Sequence, residues 1–197
     1  MDKSFFTFLT LCAVVLSALP VSNGVGPVGA HDYPKSVQKW YKKIANANKK
    51  VTQLHFYLHD LVGRPSPTNV PIAAANSTAR SSTLFGLIGA MDDLLTVGPS
   101  PDSEIVGRAQ GLLLAASLEE IAYHMTFSVV FTNRKFNGST LSLVGHNPFL
   151  HENRELAIVG GSGFFRLARG TAVLKTLTYN STSGDAIVEY NIIVLHY

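Results

Sequence analysis

A carboxyl set among apolar side chains is a ready proton donor or acceptor, and Asp60 stands in such a place. Along residues 51–62, Leu54, Phe56, Leu58 and Asp60 share one parity of an extended strand, and Gln53, His55, Tyr57 and His59 share the other. Directed inward with its apolar neighbours near a strand end, the Asp60 carboxyl loses water. Its pKa rises, which suits it to acid or base work. The competing reading ends the strand just before Asp60 and lets its carboxylate cap the turn around Gly63. Arg154 precedes Leu156 and Ile158 on one parity, which aims it inward, where a guanidinium would stabilise a phenolate or favour the charged form of Asp60. An exposed arginine at a strand start fits the same spacing.

Other constellations carry less. His55 and His59 lie about 13 Å apart on one strand, too far to share a metal ion. The remaining histidines, including His146, have no ligand spacing. The run Val159-Gly160-Gly161-Ser162-Gly163-Phe164 continues as strand rather than helix, so it reads as a tight hairpin and not as a phosphate loop. Asp92, Asp93, Asp102 and Glu104, interrupted by Gly98, Pro99 and Pro101, read as a connecting loop without calcium-ligand spacing. Tyr123, Met125, Phe127, Val129 and Phe131 form a period-two apolar stripe, a core wall that would also suit a flat phenolic ligand.

The elements that must position these groups are strands. Apolar or alternating runs broken by Gly, Pro, Asn and Ser predict strands over 51–62, 70–78, 83–91, 105–115, 123–132, 139–144, 156–159, 164–176 and 186–196. Eight or nine antiparallel strands close well into a barrel, which removes exposed edges; a two-sheet sandwich fits the same pattern. The last strand is apolar on both parities, which predicts that its outer face is covered by another element or a second subunit.

Around this domain, residues 1–24 read as a secretory signal peptide, with an apolar run shorter than the roughly 20 residues of a membrane span. Residues 25–50 form a basic arm, in which Val37, Trp40, Tyr41 and Ile44 recur at helical spacing among lysines. Residues 51–197 form the β domain. The single cysteine, Cys12, falls in the leader, so neither a disulfide nor thiol catalysis is expected. A formal charge of +3 with 15% charged residues is too dilute for a nucleic-acid surface. Asn76, Asn137 and Asn180 head N-x-S/T sequons, open to glycosylation on export.

Taken in order, Phe56-Tyr57-Leu58-His59-Asp60, Val106-Gly107-Arg108-Ala109-Gln110-Gly111, Phe136-Asn137-Gly138-Ser139, Arg154-Glu155, Val159-Gly160-Gly161-Ser162-Gly163 and Ala168-Arg169-Gly170 resemble the plant dirigent family over residues 54–197. The resemblance implies an eight-stranded antiparallel barrel with a central apolar cavity, an apoplastic location, no cofactor, and association into trimers, with a dimer as the alternative. It carries Asp60 over as a pocket acid and Arg154 as the pocket arginine. Phe56, Leu113, Phe127, His146 and Asn147 are the further pocket candidates. Two positions depart from lignan-forming members: Asn147 stands where a second acid is common, and Leu113 where a tyrosine is common. An amide gives up no useful proton and a leucine binds no phenol oxygen, which places pinoresinol-type chemistry in doubt.

The functions implied are three. One is a stereodirecting protein for phenoxyl radical coupling, with radicals supplied by a separate laccase or peroxidase. Another is a dehydratase resembling pterocarpan synthase, acting on an isoflavanol through a quinone methide. The third is a non-catalytic cell-wall or defence binding protein. Phenolic small molecules are the expected ligands of the first two.

Overall fold

The computed structural model describes residues 34–44 and 47–197. The expected signal peptide and residues 25–33 and 45–46 of the basic arm lie outside the described residues. Two units are present, Met1–Ala45 and Asn46–Tyr197. In the first, helix α1 (Lys35–Ile44) carries the helical spacing of Val37, Trp40, Tyr41 and Ile44 and ends on Lys42 and Lys43, the charge sign that a helix C-terminus favours. Among the described residues no helix is long and apolar enough to cross a membrane.

The second unit is an antiparallel barrel of β1 (Lys50–Asp60), β3 (Leu87–Thr96), β4 (Ile105–Ala115), β5 (Tyr123–Phe131), β6 (Thr140–Asn147), β7 (Arg154–Ser162), β8 (Arg169–Tyr179) and β9 (Ala186–His196). The sheet runs β1-β9-β8-β7-β6-β5-β4-β3 and closes when residues 57–59 of β1 pair with 94–96 of β3. The ninth strand, β2 (Asn69–Ala74), pairs with residues 87–91 of β3, the part of that edge which β1 leaves open. Closure settles the choice between barrel and sandwich.

Five expected strands differ by three residues or more at an end, the sixth by running on from Val144 to Asn147. The second ends at Ala74 and gives way to a 3₁₀ turn at Thr78–Arg80. The third starts later, because Leu84 and Gly86 take left-handed backbone angles (φ 59° and 89°) that interrupt extension, and it continues through Asp92 and Asp93. The loop expected at those two aspartates is therefore β3 itself. The seventh runs from Arg154 to Ser162. The eighth begins only at Arg169, after a turn through Gly163–Phe165 and Leu167 (φ 58°).

Inward residues alternate along each strand and form one core. At one end Phe131, Phe136 and Phe165 pack with ring centroids 5.0–5.5 Å apart. Phe165 is completely buried, worth roughly 1.5–3 kcal/mol. These rings plug that end and leave the opposite end to bind. On the outer face, Val51, Val173, Ile193 and Leu195 stay exposed, so the apolar outer parity of β9 meets solvent in the single chain.

Gly111 explains part of the Ala109-Gln110-Gly111 motif. A Cβ there would lie 2.3 Å from the Thr126 carbonyl oxygen and 2.5 Å from Phe127 Cα, so β4 and β5 approach as closely as only glycine permits. Gly111→Ala is expected to cost about 1–3 kcal/mol through forced backbone movement, read as a lower thermal midpoint. An unchanged midpoint would show that β5 yields freely.

Candidate active site

The end opposite the aromatic plug holds a cavity of about 360 Å³. The C-terminal ends of β1, β4, β6 and β8, the N-terminal ends of β3, β5, β7 and β9, and β2 all supply its lining, as antiparallel alternation requires at one mouth of a barrel. Leu58, Met91, Leu113, Met125, Leu174 and Val188 make its walls apolar. The volume sits near the low end of the roughly 300–1,000 Å³ typical of small-molecule sites.

Two carboxyls line it, Asp60 and Asp93. Phe56 and Leu58 are buried before Asp60, so β1 stays extended and carries the carboxyl inward with them. The turn around Gly63 is capped by a different residue. Asp185 Oδ1 accepts from the Val62 and Gly63 amides at 2.9 and 3.1 Å, and its Oδ2 accepts from Arg64 Nε at 3.0 Å. That arrangement disposes of the capping role for Asp60. Desolvation raises Asp60 to about 6, with a bond from Asn69 opposing and Asp185 adding.

Asp93 has no exposed surface, and burial raises it to about 8, with the nearby charge of Asp60 pushing the same way. Its Oδ1 accepts a 2.5 Å bond from Thr68 Oγ1. Asp60 Oδ1 and Asp93 Oδ2 are buried and make no hydrogen bond. An ionised oxygen without a donor is costly in such a place, so both carboxyls lean toward the acid form.

Sequence reasoning missed Asp93. Its signal was parity: Gly89, Met91, Asp93 and Leu95 alternate inward, with the same logic that marked Asp60. The adjacent Asp92 masked it; that residue faces outward and pairs with Arg108 at 2.5 Å.

Arg154 is buried and lines the cavity, yet it meets no carboxylate. Its Nε donates to Asn147 Oδ1 at 2.9 Å, and Nη1 donates to Thr176 Oγ1 at 2.7 Å, His151 O at 3.1 Å and Phe149 O at 3.2 Å. Of the two roles weighed for it, pairing with Asp60 is absent, because these neutral acceptors on β6, β8 and the 148–153 loop hold the fork. Burial lowers the Arg154 pKa from its ordinary high value. Asn147 thus acts as a support: it anchors the arginine and donates to Met125 Sδ at 3.0 Å.

The other pocket candidates separate. Leu113 lines the cavity. Phe56 and Phe127 do not; both are buried behind Tyr190, the first stacked on it at 5.5 Å and the second edge-on at 6.4 Å. They hold a wall residue in place. His146 points outward, 59% exposed, 3.8 Å from Glu120, because β6 turns its neighbour Asn147 inward. The tyrosine absent at Leu113 has substitutes, since Tyr123, Tyr179 and Tyr190 all bring phenols to the lining. His59 is buried against Thr96 Oγ1 at 2.7 Å, and His55 is an exposed partner of Glu189. No metal-binding cluster occurs among the described residues. Asn76, Asn137 and Asn180 are exposed.

A closed barrel with one plugged end, an apolar pocket, two perturbed carboxyls and a buried cation defines a small-molecule site equipped for proton transfer. The dirigent-like protein family model matches residues 51–195, and the chain belongs to the dirigent family. It is 50% identical over 197 residues to pterocarpan synthase 1 of Glycyrrhiza echinata, covering 100% of this chain and 98% of that one. It is also 50% identical over 147 residues to dirigent protein 21 of Arabidopsis thaliana, covering 75% and 78%. The solved structure of the pterocarpan synthase dirigent protein GePTS1 superposes with a TM-score of 0.72 at 49% identity, over 76% of this chain and 92% of that one.

Proposed function

We propose that this protein is a dehydratase of the pterocarpan-synthase kind, which controls stereochemistry at a quinone methide formed from an isoflavanol-type phenolic alcohol. One observation carries the reading: a single apolar cavity holds two carboxyls set near 6 and 8, one base and one acid around neutral pH. Asp93 protonates the leaving hydroxyl; the carbon–oxygen bond breaks and water departs. The ring phenol gives its proton to Asp60 and becomes the carbonyl of the quinone methide. A second phenolic hydroxyl then adds to the exocyclic carbon, closes the ring, and releases its proton to Asp93, while Asp60 returns the first proton to the product phenol. Water is the sole by-product, and no oxidant is needed. The Arg154 cation supports negative charge on the phenolic oxygen.

Relatives named as dirigent proteins keep a second reading in view, in which the same cavity orients phenoxyl radicals made by an external laccase or peroxidase. Incubation of the mature protein with isoflavanols, and separately with monolignols plus a one-electron oxidant, followed by chiral chromatography, separates the two. Cyclised product without oxidant is the expected result. Enantiomeric excess only with oxidant would transfer the assignment to the second reading, and racemic or unchanged material throughout would leave sequestration.

We further propose export to the apoplast and trimer formation through the apolar outer surface of β1, β8 and β9. The leader-like residues 1–24 support the first, and exposed Ile193 and Leu195 support the second. Ile193→Glu is expected to convert the assembly to monomer in light scattering without loss of the far-UV β signal. A wild-type monomer would sink the trimer.

A further inference from the structure

Thr68, the last residue of the segment joining β1 to β2, and Asn69, which opens β2 and lines the cavity, each touch one of the two carboxyls. Thr68 Oγ1 reaches Asp93 Oδ1 at 2.5 Å, and Asn69 Nδ2 makes a long 3.5 Å contact with Asp60 Oδ2. The opposite oxygens, Asp93 Oδ2 and Asp60 Oδ1, are buried without a partner. We propose that Thr68 is a positioning residue: its hydroxyl pins Asp93 Oδ1 as an acceptor and so confines the acid proton to Oδ2. The proposal rests on the reading of Asp93 as the acid.

The direction of the bond follows from counting hydrogens. A threonine hydroxyl has one hydrogen and two lone pairs. Thr68 Oγ1 already accepts from the Leu61 amide at 3.1 Å, an amide that has no choice of role. Among the described residues Asp93 Oδ1 is the one acceptor recorded for that single hydrogen, so Thr68 donates to it and Oδ1 stays proton-free on that side. A protonated Asp93 then carries its hydrogen on Oδ2, and the chain from the Leu61 amide through Thr68 to Asp93 runs one way.

Loop closure does not need this hydroxyl. The Thr68 amide donates to Leu61 O at 2.8 Å, and Thr68 O accepts from the Asp92 amide at 2.8 Å, so the backbone alone ties residues 61, 68 and 92 together. The side chain is an addition to an anchored loop. Its bond favours the ionised form of Asp93, against burial, Asp60 on β1 and neighbouring Asp92; Arg108 on β4 acts with it, and Tyr190 on β9 shares the same electrostatic environment. Without the hydroxyl, Asp93 releases its proton less readily and its carboxyl is freer to turn.

The test is Thr68→Val, which keeps the shape and removes the hydroxyl, with Thr68→Ala in its place should valine prevent folding. Carboxyl ¹³C NMR on the full mature protein is expected to show the Asp93 titration moving up by about one unit. The high-pH limb of kcat should move with it. At neutral pH kcat should fall about tenfold with KM within a factor of two, and Thr68→Ser should restore both. An Asp93 titration that stays put in a folded Thr68→Val overturns the proposal, as does failure of serine to rescue. A shifted titration together with full turnover by Asp93→Asn keeps Thr68 as the positioning group and removes Asp93 from the chemistry, so the two readings fail separately.

Discussion

Replacing Asp93 with Asn is expected to lower turnover of an isoflavanol by about 10²–10⁴-fold, the span attributed to a positioned general acid, with little change in KM. The amide has the volume of the acid and still accepts from Thr68, so the barrel folds; steady-state rates with a circular dichroism control read the result. In the parent protein the rate should peak between the two limbs of the pair, near 6 where Asp60 becomes a base and near 8 where Asp93 ceases to be an acid. Wild-type turnover by the variant would exclude Asp93 from the reaction.

The same substitution tests stability with a definite sign. The folded Asp93 titrates near 8 and the unfolded residue near 3.8, so the native state holds a proton that the unfolded chain has released across that interval. The contribution of Asp93 to stability is therefore fully present below about 4 and is lost as pH rises toward 8; Asp60 adds a smaller loss up to about 6, while Asp185, held low by its amide and Arg64 bonds, contributes with the opposite sign in acid. Asp93→Asn should flatten this decline and raise the midpoint at pH 8 more than at pH 4, by about 2–4 °C for each kcal/mol recovered. Thermal melts across pH provide the check. A variant whose midpoint falls in parallel with the parent would mean that Asp93 is already charged in the fold.

Arg154→Met is the second large effect. It removes the donor to Asn147, Thr176 and the carbonyls of Phe149 and His151 together, and buried acceptors left without a donor outweigh the saving from not burying a cation. The expected loss is about 2–4 kcal/mol, read by urea denaturation. Arg154→Lys should recover only part, since one ammonium cannot span the directions that the guanidinium fork covers. Activity should fall in both variants, because Phe149 and Asn147 belong to the cavity lining that the arginine supports. A stable Arg154→Met would show that the 148–153 loop is held by other contacts.

Strand periodicity is local, and Asp60 was legible for that reason: Leu54, Phe56 and Leu58 announce the inward parity within a single strand. The all-β class, the turn chemistry at the glycines, and the resemblance carried by ordered motifs were legible in the same way. Closure of the barrel belongs to a different scale. It depends on residues 57–59 meeting 94–96 across the chain, and no local pattern states which distant strand completes a sheet. Asp93 became visible only with that closure, because two adjacent aspartates read as a loop until pairing with β4 forces one outward to Arg108 and the other inward to Thr68. Arg154 was correctly aimed inward by parity, but its partners come from three other elements, and Asp60, one of the two neighbours weighed for it, is not among them. Asn147, weighed as a pocket residue and as a missing acid, also holds the arginine. The sequence by itself determined which faces are apolar and which strand ends carry acid or cation, because side-chain direction alternates with position. The tertiary structure decided which of those groups share a cavity and how far burial shifts them, because both depend on contacts between residues far apart in the chain.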